Sequence, residues 1–555
     1  MILANLKSLV PSRICGYLRV RRAVTRNNSL TRDLVEKFVQ YPQWKGTASL
    51  SNQLPVKVAF VGEEYLGQML AWEWQQVNVN PDDSHSVQKV TDLVEKCDFL
   101  LVAFGETNSD TESRWEVTGV VQNLITAFHA AGKPAAFWDA SKNGMTDSTA
   151  EIAASCDFLF DASPSRAAAN NATFLPWAAQ SSLYNPQRLT QGFYLRPRKP
   201  VAHYCEGRGK IQAKKQPSYY RSVEVFTHPG PETDTDVCPP EIFELLACGT
   251  TVVTPSNSAL NALFPAGAFP ATTNTLDLEQ RNRNAYCNAQ YVMREHTYAQ
   301  RARKLTATIG SADALPARPR ITPLIATIRP GQMDHILDYL TAQQGVNICP
   351  IIGTHGFSAP ETARQRAAAL GIEVDWFEMN RSWSLGECYN RMLERTEAEY
   401  VAKMDDDDLY GPYYLSEAQY ALQYSGAEMV GKHSRFLYLG DRDLTVLQFA
   451  NKENRFSNFI TGATIFTRTR TLRTLKFAEK RRGEDSNLLR RLLRQGGRIY
   501  STSRFGFVVI REGSQDFVGH THQADSTEFM KTSQEIHVGR PDEREIPKWE
   551  MTSWG

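Results

Sequence analysis

The stretch SLGECYNRMLERTEAEYVAKMDDDDLYGPYYL, residues 384–415, decides the fold. Ser384 with Glu387 three residues on has the form of a helix-starting capping box, and Leu385, Cys388, Tyr389, Met392 and Leu393 fall on one helical face. A helix is therefore expected to end near Thr396, and Tyr400 to Met404 reads as a buried strand. That strand delivers Asp405, Asp406, Asp407 and Asp408 to its carboxyl end, where open α/β sheets bind ligands. Four adjacent carboxylates repel one another. The cost makes sense where a hard divalent cation with oxygen ligands, Mg²⁺ or Mn²⁺, bridges them to a diphosphate. An acidic run on a solvated surface would have polar, flexible flanks, whereas here a strand leads in and GPYYL leads out.

Downstream, GEDSNLLRRLLRQGGRIY (483–500) sets Glu484 and Asp485 just before an apolar-periodic helix carrying Leu488, Leu489, Leu492 and Leu493. A carboxylate there caps free N–H groups and favours the helix dipole. Beside an aspartate cluster the pair gains a second reading. A transferase needs a cation for the leaving diphosphate and a carboxylate for the attacking hydroxyl, and one carboxylate raises the proton affinity of its neighbour.

Together these segments resemble the family 2 glycosyltransferases of the GT-A fold, over about 200 residues. Asp405 and Asp407 fall on the two positions of the Asp-x-Asp motif, with Asp408 following. ITPLIATIRP (321–330) resembles the first strand and nucleotide-contacting loop, carrying Thr327 and Arg329. The Glu-Asp motif falls on Glu484 and Asp485, and the resemblance makes Asp485 the base on the acceptor hydroxyl. GKHSRFLYL (431–439) and FITGATIF (459–466) resemble the acceptor-side strands. The resemblance implies donor contacts from Thr327, Arg329, Asp405 and Asp406, and a cation held by Asp405 and Asp407. A late histidine, His520 of the HTH segment that also holds His522, would complete its ligand set. The all-acidic tetrad departs from a plain Asp-x-Asp, which leaves open which carboxylates touch metal.

Upstream, VKVAFVG (56–62), FLLVAFG (99–105), AAFWDA (135–140) and FLFDAS (158–163) are short apolar runs separated by helical lengths, the pattern of a parallel sheet covered on both faces. A Pro-, Arg- and Lys-rich segment at 194–217 reads as a linker. CPPEIFELLACGTTVVTPSNSAL (238–260) predicts a helix started by Pro239 and Pro240, stopped at Gly249 and followed by a strand; its N-terminus is suited to a diphosphate. With LPWAAQSSLYNP (175–186) and KPAAFWDASKNG (133–144), this half resembles the CgeB-like branch of GT-B glycosyltransferases over about residues 55–310. The resemblance implies that Glu244 holds the donor ribose and that Asp236 stands where that group has a second acid. Pro240 and Glu241 replace that branch's paired arginines, and HYCEGRGK (203–210) replaces its glycine-rich motif, with Arg208 and Lys210 as compensating phosphate donors.

At 555 residues the chain should hold roughly three or four domains. With 42% hydrophobic and 22% charged residues, disordered and fibrous classes are excluded. Lys plus Arg (62) nearly cancels Asp plus Glu (61), so no global basic field recruits nucleic acid. The nine cysteines include no C-x-x-C pair and read as reduced, cytosolic thiols. No run approaches the ~18 apolar residues of a membrane span, and the start of the chain forms no signal-peptide core. Residues 1–32 carry seven basic and no acidic residues among apolar ones, an arm suited either to anionic lipid at the inner face of the plasma membrane or to plain solvation.

The expected fold class is α/β: a GT-B-like pair of Rossmann-type domains followed by a GT-A-type mixed-sheet domain. The expected boundaries are a basic extension at 1–50, the first GT-B domain at 51–195, the second at 196–312, the GT-A domain at 318–525 and an unfolded polar tail at 526–555. The implied activity is inverting, metal-dependent transfer of a sugar from a nucleotide-diphosphate donor to a glycan, lipid-linked or surface-polymer acceptor, with a second transferase activity upstream. The alternatives are an inert glycan-binding scaffold and a polyol-phosphate or phospho-sugar transferase.

Overall fold

The computed structural model describes residues 53–79, 87–105, 118–191, 194–203, 215–231, 235–270, 272, 276–310, 315–480, 483–512 and 526–547. The basic extension at 1–50, Arg208, Lys210, His520 and His522 lie outside the described residues.

The upstream apolar runs become neighbouring strands of a six-stranded, all-parallel sheet. Its order is Trp74–Asn78, Leu54–Gly62, Phe99–Phe104, Ala135–Asp139, Phe158–Asp161, Thr173–Phe174. Every residue of Phe99–Phe104 and Ala135–Asp139 is buried, as strands sandwiched between helices require. Successive side chains feed opposite cores: Val58, Phe60 and Leu101 one, Ala59, Val61 and Leu100 the other.

The second unit is a parallel three-stranded sheet in the order Thr251–Val253, Val223–Thr227, Lys199–His203. The expected linker at 194–217 is thus corrected in part, because it supplies this sheet's edge strand. Lys199–His203 has only Ala202 buried and carries Pro200, so it lacks the apolar signature, and an edge position tolerates its proline. Helix Pro240–Ala247 forms as expected, with Ile242 through Ala247 buried. Helices Leu278–Glu295 and Tyr298–Thr308 then return to the first unit. Tyr298 N donates to Ala179 O (3.1 Å), and the buried Arg301 donates to Pro176 O (2.7 Å) and Trp177 O (2.9 Å).

The third unit is built on a mixed sheet. Asp375–Met379, Ile351–His355, Arg320–Thr327 and Tyr400–Lys403 are parallel, and Phe466–Arg468 runs antiparallel beside Tyr400–Lys403. Met429–Gly431, Ile499–Ser501 and Arg455–Ser457 extend it, while Leu409–Tyr410, Phe507–Arg511, Arg435–Leu439, Leu444–Gln448 and Ser533–Val538 form a second sheet. That last strand corrects the reading of an unfolded tail from Ser526. It pairs antiparallel with Leu444–Gln448, and the buried Glu545 accepts from Gly506 N through its backbone carbonyl (2.8 Å), so the unit runs to residue 547. None of the strand's six residues is buried, which conceals it in a polar composition.

The second and third units pack together. The Tyr286 and Phe505 rings stack with centroids 5.1 Å apart, and Arg504 bonds Glu279 (3.1 Å) and Glu453. No helix among the described residues is long and apolar enough to cross a membrane.

Candidate active site

The expected helix runs Leu385–Arg395, with Ser384 accepting from Glu387 N (3.3 Å), and the strand that follows, Tyr400–Lys403, is wholly buried. At its carboxyl end the four aspartates divide. Asp405, Asp407 and Asp408 each present an oxygen, all within 4.8 Å of one another. Asp406 turns the other way, is buried, and accepts from the Thr327 hydroxyl and from Arg329 Nε (3.0 Å). Arg329 N in turn donates to Thr327 Oγ1 (2.9 Å), and its guanidinium reaches Asp407 Oδ2 at 3.0 Å. Thr327, Arg329 and Asp406 therefore form one network that braces the loop behind the trio. Tyr410 holds the turn from inside, accepting from Asp405 N (2.8 Å) and donating to Ala463 O (2.9 Å).

Burial first, then the neighbouring charge of Asp405, raises the Asp407 carboxyl above its ordinary range, with Arg329 opposing. Burial followed by Asp407 and Asp405 pushes Asp408 up further, and Ile510 N donates to Asp408 Oδ1 (3.2 Å). Three convergent carboxylates, Asp408 buried and the other two half-buried, with the charges of their neighbours raising Asp407 and Asp408, are what a divalent cation with oxygen ligands relieves, so Mg²⁺ or Mn²⁺ fits these donors.

Glu484 and Asp485 are the first residues of helix Glu484–Arg494 rather than preceding it, and Gly483 is its N-cap with no side-chain cap bond. Asp485 comes to the same edge of the sheet through Lys403, the last residue of the buried strand. The Lys403 Nζ lies 2.8 Å from Asp405 Oδ1, 3.5 Å from Asp485 Oδ2 and 5.0 Å above the Tyr389 ring. Burial works against this ammonium, yet Asp405 and Asp485 outweigh it and hold it charged. Burial raises the Asp485 carboxyl, Lys403 pulls it down and Asp405 raises it again. Asp485 Oδ1 is buried with no hydrogen-bond partner among the described residues. Glu484 is pushed up to about 7 by burial and by Asp485. Gly462 makes room for this carboxylate, since a Cβ there would sit 1.9 Å from Asp485 Oδ2. Removing the buried ammonium strands two carboxylates, so Lys403→Met should lower stability by about 3 kcal/mol, as for one partner removed from a buried pair. Denaturant titration should show Mn²⁺ recovering part of the loss; an unchanged midpoint would mean that Lys403 does not hold the two acids.

The upstream candidates sit differently. Glu244 is 1% exposed and accepts from the Tyr65 hydroxyl of the first unit. Burial, then the charge of Glu241, raises its carboxyl well above the ordinary range, which favours the protonated form. Asp236 accepts from Ser165 N (3.0 Å), tying the second unit to the start of helix Pro164–Ala169. A carboxyl that stays protonated when folded but ionises when unfolded costs stability as pH rises above its unfolded value, at about 1.4 kcal/mol per pH unit. Glu244→Gln keeps the acceptor and cannot ionise. Its stability relative to wild type should therefore climb with that slope as pH rises above the ordinary carboxylate range. Parallel pH–stability curves would contradict a raised Glu244 carboxyl.

Lys403 and Gly462 were not singled out as site residues by the sequence reading. The signal for Lys403 was present, because a lone charged side chain inside a buried strand demands a partner. Gly462 lay unmarked in FITGATIF.

No protein-family model and no curated protein matches the chain. Solved structures do align with part of it. A mannosyltransferase from Pyrobaculum calidifontis, in complex with GDP-Man and Mn²⁺, is 15% identical over 36% of this chain and 59% of its own, with a TM-score of 0.29. TarS 1–349 of S. aureus with UDP-GlcNAc is 13% identical over 38% of this chain and 64% of its own, at 0.28. Glucosyl-3-phosphoglycerate synthase from Mycobacterium tuberculosis, with Mn²⁺, UDP and glucosyl-3-phosphoglycerate, is 17% identical over 35% and 71%, at 0.25. The chain thus spans about three fifths of the length of the first of these. With TM-scores this low, the functional reading rests on the geometry of the carboxylates.

Proposed function

We propose that the third unit is a GT-A-type, family 2-like glycosyltransferase that moves a sugar from a nucleotide-diphosphate donor to a hydroxyl of a glycan, lipid-linked or surface-polymer acceptor, with inversion. One observation carries the reading: a trio of convergent carboxylates and a separate, partly unsatisfied carboxylate stand on one sheet edge, linked by a buried lysine. Asp405, Asp407 and Asp408 would hold Mg²⁺ or Mn²⁺, which supplies positive charge for the departing diphosphate. Asp485 accepts the acceptor hydroxyl's proton as that oxygen bonds to the anomeric carbon and the bond from that carbon to the diphosphate breaks. Arg329 and Thr327, fixed by Asp406, set the loop the donor meets. His520 remains the proposed late ligand. A panel of nucleotide sugars assayed on the full chain with Mn²⁺ and with EDTA tests this. The expected result is cation-dependent release of nucleoside diphosphate with one donor, and product mass distinguishes hexosyl from phosphoryl transfer.

The upstream pair of sheets supports a second reading, that of a GT-B-like platform without its own catalysis. The observation favouring it is the burial of Glu244 against Tyr65, which turns the expected ribose ligand inward. Sugar incorporation and product length unaltered in Glu244→Gln support the platform; loss of one product class supports a second transferase.

A further inference from the structure

Where the second and third units meet, a cleft of about 570 Å³ opens at the sheet edge on which strand Arg320–Thr327 begins. The trio of aspartates lies at the other end of that strand, seven residues or ~23 Å away. Arg294, Arg301, Arg303, Lys304 and Arg318 line the cleft with one carboxylate, Glu295. Arg294 pairs with Glu295 at 2.9 Å and the buried Arg301 donates to the Pro176, Trp177 and Glu295 carbonyls, so the cationic face toward a ligand rests on Arg303, Lys304 and Arg318. Arg303 gives one donor to Pro316 O (2.9 Å). Arg318 is exposed and makes no hydrogen bond or ion pair among the described residues. The cations strain one another: burial and then Arg318 hold the Arg303 guanidinium below its ordinary value, and burial and then Arg301 do the same to Lys304. A chain of net charge +1 has no general reason to gather like charges here. Much of the remaining polar lining is amide, including Gln344, Asn347 and Gln423, groups that serve hydroxyls as both donor and acceptor.

We propose that this cleft is a second binding site, for an anionic glycan whose carboxylate or phosphate groups meet the cations while its hydroxyls meet the amides. The cleft, with a volume of about 570 Å³, accommodates a few sugar units. It stands whether or not the distant carboxylates transfer sugar, and a polymer held here while its end reaches them would gain from effective concentration.

The test is calorimetry on the full chain in EDTA, with trigalacturonate as the anionic probe, maltotriose as the neutral one of equal length, and inorganic phosphate as the bare anion. Trigalacturonate should bind with salt-sensitive affinity, and the other two at least about tenfold more weakly. Lys304→Ala with Arg318→Ala should weaken it by about tenfold, as should Arg318→Glu alone, an exposed change that leaves folding intact. Asp407→Asn should leave it unchanged, which separates this site from the proposed active centre. Absence of trigalacturonate binding, indifference to both variants, or equal affinity for inorganic phosphate overturns the proposal.

Discussion

Asp407→Asn is expected to lose about 10³-fold of cation-dependent transfer while unfolding at the wild-type temperature or slightly above it. The rate follows from the charge: a ligand lost from a site that supplies several kcal/mol of stabilisation to a leaving diphosphate corresponds to about three decades. The stability follows from the electrostatics without a cation, where Asp407 adds to the burden on Asp408, so neutralising it relieves repulsion. The 3.0 Å pairing with Arg329 is weakened, and Arg329 keeps Asp406. Steady-state kinetics across Mn²⁺ concentrations, together with thermal unfolding in EDTA, measures both. Wild-type turnover in this variant would remove Asp407 from the cation site.

The second large effect is at Asp485. Asp485→Asn preserves shape and the contact with Lys403 but accepts no proton, so kcat should fall by about 10²- to 10⁴-fold, the span of a positioned general base. The Kd of the nucleotide with Mn²⁺ should hold, because Asp485 lies beside Gly462 and is not one of the three convergent carboxylates. A kcat within a factor of about two of wild type would return Asp485 to the bland role of starting helix Glu484–Arg494.

The parts legible in the sequence are those that local physics dictates. The run from the Ser384 cap through the buried strand to the aspartates appears as read, because periodicity and burial agree there. The upstream parallel strands appear within a residue or two of their expected limits for the same reason. What escaped depended on partners distant in the chain. Strand Lys199–His203 and strand Ser533–Val538 sit at sheet edges, where backbone pairing rather than apolar pattern fixes them. Glu244 sits on a helix of the expected extent, but its direction is set by Tyr65, 179 residues earlier. The division of the tetrad into a trio and an inward Asp406 likewise depends on Thr327 and Arg329 across the sheet.

The central claim is that Asp405, Asp407 and Asp408 grip a divalent cation that receives a nucleoside diphosphate. Isothermal titration of UDP and GDP into the full chain, with Mn²⁺ and again with EDTA, tests it most directly. One of the two nucleotides should bind only with Mn²⁺ present, and Asp407→Asn should abolish that binding. Equal affinity with and without the cation, or heat from neither nucleotide, would contradict the account.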